Sequence, residues 1–402
     1  MEAILISRQI PIWQDRRAIA LLMAASLTTM ANATIAPALP GLERLFADDP
    51  NAALLTRLLV PAPSLSVALC APLAGIAADR IGRRKLLLFG VVLFVISGCA
   101  GLVLPDLSTI FASRLVLGIA VALIMTAQTA LIGDYFTGDN RNALTGLQIS
   151  ARNLGGLVFI LTAGWVATIS PRLPFAIYGL AAAFLPLMWL VIVDPPRLSP
   201  ATRPGQIGAG EDRSPWRLLF ASLVLLQAVT NMIFFIMPTQ LSFFLDAQGY
   251  DSAIMTGSAL GVLMLSGGGF ALLYPRIQRA VGYAGIFALG YGAMALGFLL
   301  LVTASATPAI FAAVTAIGAG YALVSPSFIA LALNLAPPQK RGLAGGVLTA
   351  SIFIGQFCSP LLSTPLIAGY RYPGLFGGTA VLLAAMTATA LLAGGAGRLR
   401  RQ

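Results

Sequence analysis

The sequence of 402 residues contains no histidine and only three cysteines. The cysteines, Cys70, Cys99 and Cys358, lie far apart and within apolar segments. Their spacing matches neither a zinc site nor a disulfide framework. We therefore expect no metal and no cofactor, and we interpret the three cysteines as small buried apolar residues.

Charged residues are also scarce. They make up 10% of the sequence, whereas 58% of the residues are hydrophobic; an ordinary soluble domain has about 25% charged residues. A soluble protein of this composition could not cover its surface with polar groups. A soluble enzyme and a disordered chain are therefore excluded. A nucleic-acid-binding domain is excluded as well, because the basic residues behind the net charge of +11 are scattered through short loops.

Long apolar runs fill most of the chain. A membrane-spanning helix needs about 20 apolar residues, and twelve runs of this order follow one another at 18–40, 53–78, 86–104, 107–132, 143–169, 174–193, 218–245, 252–274, 283–303, 308–335, 343–368 and 373–396. A stretch rich in proline, glycine and charge separates the sixth run from the seventh. We predict an all-α membrane protein of twelve transmembrane helices in two pseudo-symmetric six-helix halves, 1–193 and 218–402. A cytosolic linker, 194–217, joins the halves.

Lysine and arginine predict the orientation in the membrane. If the N-terminus is cytosolic, most of the 25 basic residues fall in cytosolic loops, and only Arg44, Arg172 and Arg371 fall in the outer loops. Cytosolic loops of membrane proteins carry such an excess of positive charge. We therefore expect both termini to be cytosolic in a bacterial-type plasma membrane.

The two predicted halves resemble each other at a constant offset of 200 residues. The matching pairs are Gly82 and Gly282, Gly90 and Gly290, Gly118 and Gly318, Arg141 and Arg341, Gly146 and Gly346, and Gly155 and Gly355. A parallel repeat of this kind places a substrate cavity between the halves, near the bilayer midplane.

The loop between the second and third spans carries the most specific motif, Gly75-Ile-Ala-Ala-Asp79-Arg80-Ile-Gly82-Arg83-Arg84-Lys85. It resembles the signature loop of the major facilitator superfamily. Gly75 and Asp79 share one helix face, and Gly82 permits a tight turn. The resemblance implies that Asp79 meets the start of the eleventh helix, near Gly342, and that the loop holds the inner side closed. We assign gating to Gly75, Asp79, Arg80, Gly82, Arg83, Arg84 and Arg141. The alternative is a plain positive turn with a capping acid.

Two arginines lie deep inside predicted spans, and a third, Arg57, lies inside a span nearer the outer edge. Arg114, in an Arg-x-x-x-Gly pattern with Gly118 that resembles the same family's fourth span, is about 12 Å deep, and Arg152 is about 16 Å deep. A charged side chain at such depth is costly and marks a functional candidate. Gln148 shares the helix face of Arg152. We assign Arg114, Arg152 and Gln148 to substrate binding. The alternative is a structural arginine bonded to carbonyl groups of a neighbouring helix.

Other polar residues within spans are weaker candidates for substrate binding, because an interhelical hydrogen bond explains each equally well. They are Asn32, Gln128, Gln227, Asn231, Tyr321 and Gln356.

Acidic residues are absent from the interior of every predicted span. A cavity whose buried charges are all positive favours an anion, because guanidinium groups bind carboxylate or phosphate with two hydrogen bonds. The resemblance implies a secondary transporter that works by alternating access, and we expect its substrate to be a small organic anion. The alternatives are a multidrug efflux transporter for amphiphilic compounds and, in another class, a polytopic membrane enzyme or sensor. The lack of histidine and of a metal-ligand cluster argues against the last.

The expected partners are a small-molecule substrate and the lipid bilayer, with no nucleic acid. The sequence leaves open whether a proton or a counter-ion is coupled to transport. We expect the protein to function as a monomer, because one chain supplies the whole pathway.

Overall fold

The computed structural model describes residues 14–194, 216–304, 306–337 and 340–399, without the side chains at positions 79, 139, 142, 342 and 394–399. The predicted linker, 194–217, therefore lies almost wholly outside the described residues.

The described residues form α-helices and no strand. The helices are α1 (Arg16–Ala33), α2 (Leu39–Leu45), α3 (Ala52–Leu59), α4 (Ala62–Ile81), α5 (Arg83–Cys99), α6 (Leu107–Tyr135), α7 (Gly138–Ile169), α8 (Pro174–Ile177), α9 (Leu185–Val191), α10 (Trp216–Phe234), α11 (Ile236–Ala247), α12 (Ser252–Thr303), α13 (Thr307–Leu335) and α14 (Arg341–Leu399). Short 3-10 turns lie at Ala36–Ala38, Ala100–Leu102 and Tyr178–Phe184.

Twelve membrane crossings result from these helices. In the described part of the chain, nine helical stretches are long and apolar enough to span a membrane, and the bent pair of α3 and α4 makes a tenth. α12 has 52 residues and α14 has 59, each about twice the length of one crossing. Each breaks at one non-helical residue, α12 at Gly282 and α14 at Arg371, and so supplies two crossings. The predicted twelve-helix fold is confirmed.

Local sequence signals set several helix ends. An Asp15 carboxylate oxygen accepts a hydrogen bond from the Arg17 N–H at 2.8 Å before α1, and Asp106 accepts one from the Thr109 N–H at 2.8 Å before α6. Gly82 ends α4 and precedes α5 with φ 104° and ψ 146°, a conformation that only glycine adopts easily. The predicted tight turn at Gly82 is confirmed.

The 200-residue repeat recurs in the helix contacts. A Cβ atom placed on Gly118 would lie 2.2 Å from the Pro63 carbonyl oxygen, and one on Gly318 would lie 2.4 Å from the Leu263 carbonyl oxygen. The two contacted residues are again 200 positions apart. α6 therefore packs on α4 as α13 packs on α12, at a distance that leaves no room for a side chain.

We refer to the described residues 14–194 as the N-terminal set and to 216–399 as the C-terminal set. The membrane side that carries Gly82 is termed the inner side, following the predicted orientation, and the opposite side is the outer side.

The two sets touch on the outer side and separate on the inner side. α7 packs on α12, and α4 packs on α14. Near the outer ends of α7 and α12, a Cβ atom on Gly164 would lie 3.1 Å from the Gly257 Cα atom. Nearer the inner ends of α4, α7 and α14, a Cβ atom on Gly75, Gly146 or Gly346 would have no atom of the described residues within 4 Å. The space between the sets therefore opens towards the inner side.

Candidate functional site

Polar contacts at the outer surface hold the two sets together. An Arg44 guanidinium nitrogen lies 2.9 Å from both carboxylate oxygens of Asp246. The Arg57 guanidinium lies 4.0 Å from the centre of the Phe243 ring and 3.2 Å from a Glu43 oxygen. Arg44 and Arg57 belong to the N-terminal set, whereas Asp246 and Phe243 belong to the C-terminal set. These contacts close the outer end of the space between the sets.

Arg152 lies at mid-depth on α7, next to the seam between the sets. Gly155 and Gly156 lie on the same face of α7 as Arg152, one turn closer to the outer side. A Cβ atom on Gly155 would lie 2.6 Å from the Ser26 Cβ atom of α1, and one on Gly156 would lie 2.6 Å from the Met264 sulfur of α12. Arg152 therefore lies one helix turn closer to the inner side than the point where α1, α7 and α12 meet.

Arg152 has no bonded partner in the described part of the structure. Its side chain is partly buried, and its Nε atom is buried without a hydrogen bond. Gln148, also partly buried, lies one turn closer to the inner side on the same face. A buried guanidinium nitrogen without a partner is costly in a membrane, so Arg152 is a candidate binding group for a substrate.

A polar and aromatic cluster occupies the C-terminal set. The Tyr321 hydroxyl donates to the Asn231 amide oxygen at 2.8 Å, and the Asn231 amide donates to the Gln227 backbone oxygen at 2.9 Å. The Tyr321 ring stacks on Phe234 with ring centres 3.8 Å apart. Gln227 is fully buried, and neither atom of its side-chain amide has a partner among the described residues. The cluster therefore offers an unused amide beside a flat apolar surface.

Glycines of α12 bring this cluster close to Arg152. A Cβ atom on Gly267 would lie 3.6 Å from the Gly318 carbonyl oxygen, one helix turn before Tyr321. The neighbouring Gly268 packs on Asn153, the residue after Arg152, with 3.5 Å to its Cβ atom. α12 is thus the thin partition between the two candidate regions, which lie at one level of the membrane.

Arg114 occupies a different environment, because it is fully buried within the N-terminal set. Its Nη2 atom donates to the Ala31 carbonyl oxygen and to the Tyr178 hydroxyl, each at 2.7 Å. Its guanidinium also lies 4.7 Å from the Tyr178 ring centre. The Nε and Nη1 atoms have no partner among the described residues. Arg114, on α6, therefore links α1 to the sixth crossing (Pro174–Val191), and its Nε and Nη1 atoms stay buried.

The remaining predicted polar residues fall into two groups. The Gln128 amide donates to the Leu21 carbonyl oxygen at 2.7 Å, and the Asn32 side-chain oxygen is buried without a partner in the described structure. Both lie within the N-terminal set. Gln356 instead accepts a hydrogen bond from the Ser64 hydroxyl at 2.7 Å and so joins α14 to α4 near the midplane.

The acidic side chains that the structure describes lie in loops or within one turn of a helix end. In the described side chains, the spaces around Arg152 and Arg114 are therefore free of carboxylates, as the sequence predicted.

The loop predicted to act in gating, residues 75–85, is bonded to the inner ends of the fourth and the sixth crossings. Arg83 forms an ion pair with Asp134 of α6. The Arg84 backbone N–H donates to an Asp194 carboxylate oxygen at 2.7 Å, and its guanidinium donates to the Trp189 carbonyl oxygen at 2.8 Å. The loop therefore ties together the inner ends of the third, fourth and sixth crossings.

The other predicted gating residues surround this loop. Gly75 faces open space, Arg80 is exposed at the end of α4, and Arg141 is exposed near Gly133. The side chain of Asp79 and the surroundings of Gly342 lie outside the described residues, so their predicted contact stays a prediction.

Three residues that no sequence motif pointed to are central to these contacts. The Tyr178 hydroxyl accepts a hydrogen bond from Arg114, and the Asp194 carboxylate accepts one from the Arg84 backbone N–H. The Phe243 ring stacks with the Arg57 guanidinium. Asp194 could have been noticed as a charge at the end of a span. Tyr178 and Phe243 carry no signal in spacing, because each meets a partner more than sixty positions away.

Comparisons with known proteins agree with this architecture. The family model described as Major Facilitator Superfamily matches residues 21–360. The quinolone resistance protein NorA of Staphylococcus aureus (strain MSSA476) is 23% identical over 317 residues, which is 77% of this chain and 80% of that protein. Multidrug resistance protein 1 of Bacillus subtilis (strain 168) is 24% identical over 317 residues, covering 76% of this chain and 79% of that protein.

Solved structures show the same fold. The crystal structure of a D-xylose–proton symporter superposes with a TM-score of 0.74 at 20% identity, covering 92% of this chain and 96% of that one. The human organic anion transporter MFSD10 (TETRAN) superposes with a TM-score of 0.71 at 18% identity, covering 95% and 100%. The chain is a multi-pass membrane transporter rather than an enzyme, and it belongs to the major facilitator superfamily.

Proposed function

We propose that this transporter moves a small organic anion across a bacterial plasma membrane by alternating access. The observation that carries the proposal is Arg152, a partly buried guanidinium at mid-depth with no bonded partner in the described residues. A carboxylate or phosphate group would supply two charge-assisted hydrogen bonds to it. Gln148 and the free amide of Gln227 would bind further polar atoms of the substrate.

The stacked rings of Phe234 and Tyr321 suggest that the anion has a flat apolar body. The rings lie almost parallel, at 14°, on the far side of the α12 partition from Arg152. A substrate with a charged end and an apolar end would lie across the side of α12 that faces the space between the sets, and so reach both regions. Asn231 and Gln356 would be further polar contacts. In this proposal Arg114 shapes the wall of the site by holding α1.

The transport cycle would rock the two sets about this level. The structure is closed on the outer side and open on the inner side. In the opposite state Gly75, Gly146 and Gly346, which now face open space, would come into close contact across the sets, as Gly164 and Gly257 do on the outer side. The gating loop with Asp79 would hold that inner closure. Both termini would be cytosolic, and a monomer would suffice.

Multidrug efflux is the second candidate function. The same aromatic pair would bind an amphiphilic compound of either charge, and two relatives carry names that refer to quinolone and multidrug resistance. The two candidates differ in what they require from Arg152, because an uncharged or cationic compound gains nothing from a guanidinium.

The experiment is a ligand screen by thermal unfolding of the purified protein in detergent. The probes are aromatic and aliphatic carboxylates, neutral sugars and lipophilic cations, tested on the wild type, Arg152→Ala and Arg152→Lys. A ligand at 100 times its dissociation constant stabilises the folded form by about 2.7 kcal/mol. We expect carboxylates to stabilise the wild type, to lose this effect in Arg152→Ala and to regain part of it in Arg152→Lys.

Arg276→Ala is the matched control, since Arg276 is exposed near the inner end of the eighth crossing. It should bind carboxylates as the wild type does. Lipophilic cations that stabilise the wild type and Arg152→Ala equally, with no response to carboxylates, would overturn the anion proposal in favour of efflux. Hits are then tested for counterflow in proteoliposomes.

A further inference from the structure

A second cavity, of about 440 Å³, is lined by described residues of the C-terminal set. Its walls come from the junction of α10 and α11 and from both parts of α14. The lining is nearly all apolar and includes Ile233, Ile236, Leu362 and Leu366. This volume lies in the range of small-molecule and cofactor sites.

The cavity opens towards the bilayer. Leu362, Leu366 and Leu382 in its lining are 52%, 44% and 45% exposed, and Tyr370 is 72% exposed. Exposed apolar side chains of a membrane-spanning helix face lipid. The mouth of the cavity is therefore in contact with hydrocarbon, and a lipid chain can enter it without crossing water.

The depth of the cavity matches one leaflet. Its lining on α14 runs from Ser359 to Tyr370, about 16 Å at 1.5 Å per residue, and half of the hydrocarbon core is about 15 Å thick. Tyr370 lies at the outer end of the eleventh crossing. The cavity thus extends from the outer surface to about the midplane.

Arg371 lies at the outer end of this cavity and has no bonded partner among the described residues. It follows Tyr370, it is exposed, and it makes no hydrogen bond or ion pair with any described residue. The other outer basic residues are occupied: Arg44 binds Asp246, and Arg172 donates to three backbone carbonyl groups. A free guanidinium at the lipid–water boundary is suited to a phosphate.

The backbone at Arg371 is unusual as well. Its φ of 57° and ψ of −175° fall in a region that is essentially restricted to glycine. The corresponding break in α12 has a glycine, Gly282, with φ 70° and ψ −178°. Arg371 therefore adopts a backbone conformation that would be less strained with glycine at this position. The strain indicates that the arginine side chain has a role of its own.

We propose that this cavity binds one acyl chain of an outer-leaflet phospholipid whose phosphate is bound by Arg371. The acyl chain fills the cavity, whose wall residues otherwise lack van der Waals contacts on one side. Because lipid chains are as apolar as leucine, the apolar fit alone gives little preference over bulk lipid, and the phosphate contact provides the selectivity. The bound lipid becomes part of the wall formed by α10, α11 and α14.

The test measures lipid binding to the delipidated full chain by native mass spectrometry. The probes are a phosphatidylglycerol and a diacylglycerol with the same chains, which lacks the phosphate. Gly378→Leu fills the cavity, since a Cβ atom at Gly378 meets nothing within 4 Å. Gly369→Leu is the matched control, because Gly369 is equally unobstructed and does not line the cavity. Each variant is first checked for a monodisperse, cooperatively unfolding protein.

We expect the wild type to retain one phosphatidylglycerol and Gly378→Leu to bind it at least about tenfold more weakly, with Gly369→Leu unchanged. Arg371→Ala should weaken phosphatidylglycerol about tenfold, to the level of the diacylglycerol, and Arg371→Lys should restore part of the loss. Equal binding by Gly378→Leu and the wild type, or equal losses in Gly378→Leu and Gly369→Leu, would overturn the proposal. If Gly378→Leu does not fold, Leu366→Trp at the lipid-exposed mouth replaces it.

Discussion

Two polar contacts help to close the outer side, and each can be removed without changing the packing of the helices. Arg57 stacks on Phe243, and Arg44 pairs with Asp246. Both contacts cross between the sets, and both are lost when the outer side opens. The double variant Arg57→Ala with Asp246→Asn should therefore shift the protein towards an outward-open state.

The size of the shift follows from the burial of each contact. The side chain of Arg57 is 13% exposed, and a partly desolvated cation over an aromatic ring contributes about 0.5–2 kcal/mol. The side chains of Arg44 and Asp246 are 64% and 35% exposed, so that pair contributes only about 0.2–1 kcal/mol. Together they amount to about 0.7–3 kcal/mol, or roughly a 3- to 150-fold rise in the ratio of open to closed molecules.

The assay labels a cysteine that only the open state exposes. Ala36 is fully buried in the 3-10 turn that packs against α11 and α12. In a background that lacks the three native cysteines, Ala36→Cys should react with a maleimide at a rate proportional to the open population. The double variant should raise this rate by the factor given above.

Arg172→Ala is the control for the loss of an outer arginine. Arg172 also lies over an aromatic ring, that of Phe46, at 5.1 Å, but both residues belong to the N-terminal set. Its loss should leave the labelling rate unchanged. A double variant that labels at the wild-type rate, or an Arg172→Ala that labels as fast as the double variant, would refute the argument that these contacts close the outer side.

Three further predictions concern the stability of the purified protein, measured as the free energy of unfolding in an SDS titration. Gly118→Ala should lose about 1–3 kcal/mol through overpacking against α4, whereas Gly146→Ala, with open space at its Cβ position, should lose nothing; equal losses would contradict the close contact. Arg371→Gly should be about 1–3 kcal/mol more stable than Arg371→Ala, because only glycine relieves the strained φ; equal stabilities would mean that the residue is unstrained. Tyr178→Phe should cost about 1.5–3 kcal/mol, because it removes the hydroxyl that accepts from the charged Arg114; an unchanged stability would show that Arg114 does not need this partner.

The sequence determined the number and position of the crossings, because each must contain about 20 apolar residues whatever it packs against. The fifth crossing was predicted at 143–169 and found as Gly138–Ile169. The turn at Gly82 and the 200-residue repeat were likewise visible in the spacing of glycines, because glycine is required where the backbone has positive φ or where two helices touch.

The tertiary structure alone decided which polar residues are bonded and which are free. Arg114 and Arg152 look alike in the sequence, as single arginines within apolar spans. The fold places Arg114 against the hydroxyl of Tyr178, and among the described residues it leaves Arg152 without a bonded partner. The sequence likewise did not reveal that the outer side is closed and the inner side open, nor that a cavity lies beside Arg371. Both features arise where helices distant in sequence meet or separate. Hydrophobic length is a local property that the sequence carries directly, whereas the partner of a buried charge is set by packing between remote segments.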